Sequence, residues 1–354
     1  MVYALIMAGG VGSRFWPKSR KNKPKQFLNF IGDKTLIQQT VERISPIIPE
    51  DRILISTNAD YTNLVAELLP EIPKENIIGE PVGRNTAPCI AFASKVIYEK
   101  NPEATLVVLP ADHYINDAKV YRHIIEAGVL KAQQSQALLT IGIKPNRPET
   151  GYGYIQFDEK RLEQSNGIPI HPVKTFAEKP DLQTASWFLD SGDFLWNSGM
   201  FIWKVSTVLS ELKKHLPDVY EGCHQITSGS EEELKHFYTN SVSISIDYGI
   251  MEKSDSVYVI PADFGWSDVG SWLSVYELKE KDSDGNVIEA QEYSLIDTQN
   301  CYIESNGDRL VTLVGLQGIG VIDTKDALLV CRLDASQNVK QVYDSLKNGK
   351  TQYK

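Results

Sequence analysis

The stretch Leu5-Ile-Met-Ala-Gly-Gly-Val-Gly-Ser-Arg-Phe-Trp-Pro-Lys-Ser-Arg-Lys-Asn-Lys-Pro-Lys-Gln-Phe27 joins an apolar run to a glycine-rich turn and then to a dense set of cations. Val2 to Met7 is continuous and apolar, which suits a central strand buried on both faces of a parallel sheet. Gly9, Gly10 and Gly12 then let the backbone turn tightly with its N–H groups outward, an anion nest. Six cations follow without an acid between them (Arg14, Lys18, Arg20, Lys21, Lys23 and Lys25), in a chain whose formal net charge is -10. A solvated charge run is the plain alternative. The position argues against it, because open α/β sheets bind ligands beyond the carboxyl ends of their strands. The stretch reads as a device for holding a nucleoside triphosphate.

Two common phosphate loops are excluded. A dinucleotide fingerprint needs a third glycine for close helix packing, and Phe15 stands in that position. A Walker A loop needs Gly-Lys-Ser/Thr, and none occurs at this turn.

At 354 residues, with 42% hydrophobic and 23% charged, the chain can bury a full core. No basic-apolar-small leader and no apolar run long enough to span a bilayer is read, so a cytoplasmic protein without a membrane partner is expected. The four cysteines, Cys89, Cys223, Cys301 and Cys331, lack Cys-x-x-Cys spacing and suggest neither zinc nor a disulfide framework. The acidic balance argues against a nucleic-acid partner. A homodimer is compatible with the sequence, which does not itself specify the quaternary state.

Val2 to Met7, Arg52 to Ser56 and Thr105 to Leu109 read as parallel strands, with helical periodicity at Leu36 to Ile44, Thr62 to Leu69 and Ala87 to Tyr98 between them. The fold class is α/β, a doubly wound, mainly parallel sheet. Asn85 or Thr86 caps a helix that Pro88 begins, and its N-terminus is a natural floor for a ligand. After a polar linker, Lys279 to Gly285, short β-rich runs recur at Tyr302-Ile303, Arg309 to Val314, Gly318 to Ile322 and Ala327 to Cys331. The expected division is 1–278 and a small β domain, 279–354, the last fifteen or so residues forming a surface helix.

Gly9 to Arg20 with Pro24-Lys25-Gln26-Phe27 resembles the signature of the sugar-1-phosphate nucleotidyltransferases, and specifically of the mannose-1-phosphate guanylyltransferases. The resemblance continues in order through Glu80-Pro-Val-Gly-Arg-Asn-Thr-Ala-Pro88, Leu109-Pro-Ala-Asp-His113, Thr150-Gly-Tyr-Gly-Tyr-Ile155, Phe176-Ala-Glu-Lys-Pro180, Trp196-Asn-Ser-Gly-Met-Phe201, Ser245-Ile-Asp-Tyr-Gly-Ile-Met-Glu252 and Gly265-Trp-Ser-Asp-Val-Gly-Ser-Trp272. It implies transfer of GMP from GTP to mannose 1-phosphate with release of pyrophosphate, and a C-terminal domain built as a short left-handed β-helix. The roughly 75 residues from the linker onward, 279–354, are expected to be too few for a further isomerase domain of typical size, about 100 residues or more.

In-line phosphoryl transfer is catalysed by positioning and charge neutralisation, so the parts to look for are cations and a metal. The resemblance maps the signature arginine and lysine onto Arg14 and Lys25, for the triphosphate. It maps two Mg²⁺ carboxylates onto Asp112 and Asp268, each of which reads otherwise as a turn aspartate. Gly9, Gly10, Gly12, Asn85 and Thr86 are the expected nucleotide-binding residues. Glu178 and Lys179 are expected to take the sugar hydroxyls and the sugar phosphate, although neighbours on an extended segment point to opposite sides. Gly151 offers close backbone approach, Asn197 a side-chain amide, and Asp247 resembles a residue near the sugar. Guanine identity rests on the resemblance alone. Transfer to a heptose 1-phosphate, uridylyl or thymidylyl transfer, and a non-catalytic homologue are the competing readings; retention of Arg14, Lys25, Asp112, Lys179 and Asp268 together argues against the last.

Overall fold

The computed structural model describes residues 1–227, 230–346 and 350–354. They form two compact units: Met1–Gly9 with Thr40–Ala111 and Ile115–Trp266, and Gly10–Gln39 with Asp112–Tyr114 and Ser267–Lys354. The strands in chain order are β1 (Val2–Ala8), β2 (Ile53–Asn58), β3 (Ile77–Glu80), β4 (Thr105–Pro110), the two-residue β5 (Tyr114–Ile115), β6 (Leu138–Ile143), β7 (Gly153–Phe157), β8 (Glu163–Ser165), β9 (Ile168–Glu178), β10 (Phe194–Lys204) and β11 (Val257–Ala262). Then come the two-residue β12 (Trp266–Ser267) and β13 (Val287–Glu289), β14 (Tyr293–Ile296), β15 (Tyr302–Ser305), β16 (Val311–Val314), β17 (Ile319–Asp323) and β18 (Leu328–Arg332).

The first unit is built on one sheet of order β3-β2-β1-β4-β10-β6-β11-β9-β7, with β8 on β9. β1 pairs in parallel with both β2 and β4, in the register Ala4 to Ile53 and Ala4 to Val107. Both neighbours of β1 bury nearly every residue, which is why these strands read as unbroken apolar runs rather than alternating ones. Among the ten strands only β9 and β10 run against the rest, so the sheet is mixed in pairing while most strands share one direction. β10 carries a register shift between Asn197 and Phe201, with Gly199 at φ 69, and this bulge re-aims the Asn197 side chain. The helix Leu36–Ile44 matches its expected bounds. The next, Thr62–Leu68, ends one residue early, and the third extends to Thr86–Lys100. Asn85 is its N-cap, so Pro88 is the third helical residue rather than the first.

The second unit wraps the C-terminal strands as a β-helix. β13, β15 and β17 stack in parallel, Val287 on Tyr302 on Gly320, and β14 and β16 form a second parallel pair. Cys301, Ile303, Leu313 and Val321 fill the coil between them. β18 closes the first sheet antiparallel to β17. The glycine-loop segment packs with these strands, so the compact units do not follow the 1–278 and 279–354 division. Phe15 lies 4.5 Å from Phe30 and 5.3 Å from Trp272, and Trp272 lies 5.8 Å from Tyr302, ring centre to ring centre. Trp16 Nε1 and Arg20 Nη1 both donate to the Tyr353 carbonyl, each at 2.8 Å. Of the expected terminal helix, Val339–Ser345 is helical and Thr351–Tyr353 is a 3-10 turn, while residues 347–349 lie outside the described residues.

Candidate active site

Gly12, at φ 70, starts a 3-10 turn, Ser13–Phe15, and a Cβ on it would lie 2.3 Å from the Lys25 Cβ. Glycine is required there twice over, by conformation and by contact. Gly10 is also left-handed, at φ 84. The Lys25 amide donates to Val11 O at 3.2 Å, which folds the basic segment back on the turn. The result is a cleft of about 250 Å³ lined by Arg14, Lys25, Asp112, Asp268 and Lys340 among others. The structure thus brings both expected triphosphate cations and both expected metal carboxylates to one place.

Their states differ. Arg14 is exposed and makes no hydrogen bond or ion pair among the described residues. Lys25 is buried, and its ammonium donates to Asp112 Oδ2 at 2.8 Å and to the Asp268 carbonyl at 2.6 Å. Burial pushes the Asp112 carboxyl up, but the Lys25 charge, His113 and the Lys25 hydrogen bond outweigh it and hold the group below its ordinary range. Asp112 is therefore ionised at neutral pH. Two other cations of the basic run serve the fold: Lys18 pairs with Glu304, and Arg20 with Asp326 at 2.8 Å. The charge reversal seen in the sequence is answered in part by the β domain's own acids.

Asp268 sits on a strained turn. Val269 has φ 46, a region that a β-branched residue rarely enters, and it is fully buried. Its amide donates to Ser267 Oγ at 3.1 Å, and a Cβ on Gly270 would lie 2.6 Å from Asp268 Oδ2. The turn is held by what surrounds it, with Gly270 leaving room for the carboxylate. No group of three or more His, Cys, Asp or Glu side chains among the described residues could hold a metal. Two carboxylates in one cleft, one of them held ionised, nevertheless suit Mg²⁺, which takes one or two carboxylates and completes its shell with water and substrate oxygens.

At the carboxyl ends of the parallel strands, Gly9 is exposed with open space where a Cβ would be. Asn85, at φ 65, accepts from the Thr86 amide at 2.9 Å. Ile244 O takes the Ala87 amide at 3.1 Å, and the Thr86 hydroxyl accepts from the Ile246 amide at 2.9 Å. Pro88 has no N–H. The backbone N–H groups of the first three helical positions are therefore satisfied within the chain, while the Thr86 hydroxyl is engaged as an acceptor. Arg84 is likewise spent, on Tyr238 O at 2.8 Å and on Thr239 O. Glu80, given no role from the sequence, ends β3 beside Ser56, which donates to its Oε1 at 2.7 Å. Burial raises its pKa. Its sequence signal was its place at the head of the block Glu80 to Pro88 that carries the resemblance.

In the first unit a second cluster forms at β7, β9 and β10. Glu178 is the last residue of β9, and Lys179 follows at φ 51. That left-handed residue ends the strand alternation, so the expected divergence of the two side chains does not arise: Lys179 Nζ lies 2.5 Å from Glu178 Oε1. Glu178 Oε2 is buried without a partner among the described residues. Asn197 is occupied within the fold, donating to Asp247 Oδ1 at 2.7 Å and accepting from Thr140 Oγ1 at 3.2 Å and the Gly199 amide at 3.1 Å. It holds Asp247, whose pKa is pushed up to about 6 by burial and by Glu178. Gly151 takes Glu149 Oε1 on its amide at 3.1 Å. Tyr152 stands 5.2 Å from Trp196 and 5.3 Å from Trp266, an aromatic wall.

No helix among the described residues is long and apolar enough to cross a membrane. A family profile described as Nucleotidyl transferase matches residues 3–285, and one described as MannoseP isomerase/GMP-like beta-helix domain matches residues 291–346. A mannose-1-phosphate guanylyltransferase of Escherichia coli is 39% identical over all of this chain and 76% of its own length, and one of Salmonella montevideo is 41% identical over 98% of this chain and 74% of its own. The chain thus spans about three-quarters of these relatives. A crystal structure described as a mannose-1-phosphate geranyltransferase from Thermus thermophilus is 32% identical, with a TM-score of 0.88 over 98% of this chain and 99% of that one.

Proposed function

The chain belongs to the nucleotidyl transferase family, in its mannose-1-phosphate guanylyltransferase branch, and from that premise we propose that it transfers GMP from GTP to mannose 1-phosphate, releasing pyrophosphate and forming GDP-mannose. The observation that supports this most is the joint presence of Arg14, Lys25, Asp112 and Asp268 in one cleft. A sugar-phosphate oxygen forms a bond to the α-phosphorus as the bond from that phosphorus to the β-phosphate bridging oxygen breaks. Negative charge grows on the departing pyrophosphate, and Arg14, with its free planar guanidinium, binds it. Lys25 keeps Asp112 ionised and in place, and offers its ammonium to the phosphates. Asp112 and Asp268 would hold Mg²⁺, which when bound neutralises phosphate oxygens and withdraws charge from the reacting phosphorus.

Glu178 accepts from sugar hydroxyls through its unpartnered Oε2, and Lys179 neutralises the sugar phosphate. Glu80 accepts from guanine N1–H and the 2-amino group, a donor pair that adenine, uracil and thymine do not present together. Pyrophosphate release with GTP, ATP, UTP, CTP and dTTP, each against mannose, glucose and heptose 1-phosphates, tests the assignment. GTP with mannose 1-phosphate should be the best pair. A clear preference for UTP or dTTP would overturn the guanylyl assignment and leave the fold untouched.

A further inference from the structure

All but one of the residues lining the phosphate cleft come from the glycine loop, the basic segment at Lys25, the Asp112 loop and the Asp268 turn; the exception is Lys340. It belongs to the helix Val339–Ser345, beyond the last strand of the β domain. That helix is held in place. Val339 is buried in the same apolar cluster as Phe15 and Trp272, and the helix packs against the Ser13–Phe15 turn that carries Arg14. Ser336, just before it, accepts the Leu273 amide on its hydroxyl at 3.3 Å. The backbone is thus fixed while the Lys340 side chain stays exposed, with no hydrogen bond or ion pair among the described residues.

Two exposed cations, Arg14 and Lys340, line one small cleft whose third cation, Lys25, is already committed to Asp112. The cleft also holds the carboxylates Asp112 and Asp268, but Arg14 and Lys340 pair with neither of them, so an incoming anion is what would offset the repulsion between the two exposed cations. A triphosphate carries more negative charge than Arg14 and a shared Lys25 can offset. We propose that Lys340 is a triphosphate-binding residue, through which the C-terminal β domain takes a direct part in the nucleotide site. The inference rests on the cleft being the triphosphate site of the proposed reaction.

The test uses the full chain as wild type, Lys340→Ala, Lys340→Met and Lys340→Arg, titrated calorimetrically with GTP, GMP and inorganic tripolyphosphate at two salt concentrations. Removing the charge should weaken GTP and tripolyphosphate by about tenfold, as loss of one charge-assisted contact does, and leave GMP within about twofold. Lys340→Arg should restore most of the affinity, and the salt dependence of GTP binding should flatten in Lys340→Ala and Lys340→Met. KM for mannose 1-phosphate should not change. Unchanged GTP affinity in Lys340→Ala, equal losses for GTP and GMP, or failure of Lys340→Arg to restore binding at wild-type thermal stability would overturn the proposal. A wild type that binds tripolyphosphate but not GTP would remove the nucleotide reading, and the tripolyphosphate series would still decide the role of Lys340.

Discussion

A Cβ on Gly153 would lie 2.3 Å from Glu178 Oε2, so the carboxylate occupies the space that a side chain at 153 would take. The two residues face each other in the register of β7 and β9, and the glycine is what lets Glu178 lie flat across its neighbour. Gly153→Ala should therefore displace the carboxylate without touching the nucleotide loop. KM for mannose 1-phosphate should rise about tenfold or more, the scale of one lost charge-assisted hydrogen bond, with direct GTP binding unchanged. Equal KM in the variant and the wild type would show that Glu178 does not meet the sugar.

Lys25 and Asp112 form one unit, and their substitutions should behave as one. Lys25→Ala and Asp112→Asn should each lower kcat by about a hundredfold, and the double variant should lose little more than either single one. Asp268→Asn should lower kcat similarly. Both Asp substitutions should raise the Mg²⁺ concentration needed for half-maximal rate, because a neutral amide is the weaker ligand for a hard dication. A normal magnesium titration of either Asn variant would return that aspartate to a turn role.

Asp247 gives the pH signature. Its carboxyl, ordinarily near 3.8, is pushed up to about 6 by burial and by Glu178, so the folded protein holds this proton more tightly than the unfolded chain does. The resulting stability is fully present below the unfolded value and is lost as pH rises through the folded one. Relative to Asp247→Asn, the wild type should lose stability between about pH 4 and pH 6 and change little above that, as read from urea midpoints across the range. A constant difference between the two proteins would show that Asp247 titrates normally.

Glu80→Gln tests base reading. The amide replaces one acceptor by a donor facing guanine N1–H, so kcat/KM for GTP should fall by about ten- to a hundredfold while rates with ATP and UTP stay at their low wild-type levels. A proportional loss for every nucleotide would make Glu80 a structural acid.

The parallel core strands, three helices and the glycine turn could be read from residues alone, because buried parallel strands are apolar runs and the turn states its own conformational need; the roles of Arg14, Lys25, Asp112 and Asp268 came from the resemblance. What escaped that reading depends on partners far apart in sequence. Nothing local to Lys18 and Arg20 shows that Glu304 and Asp326 await them, so two structural cations looked like part of an anion-attracting run. Strand alternation set Glu178 and Lys179 apart, since the left-handed turn at Lys179 has no glycine or asparagine to announce it. The helix cap at Asn85 was visible; the use of the Ala87 N–H by Ile244 was not.

The aromatic contact of Phe15, Phe30, Trp272 and Tyr302 bears on how such a protein can be taken apart or recombined. A fragment ending at Leu278 would keep every signature motif, yet it would uncover the rings beneath Arg14 and strip the Tyr353 carbonyl from Trp16 and Arg20. The β domain is therefore no detachable module, and a chimera that exchanges residues 1–278 between relatives should fail unless the loop's rings and their distant partners travel together.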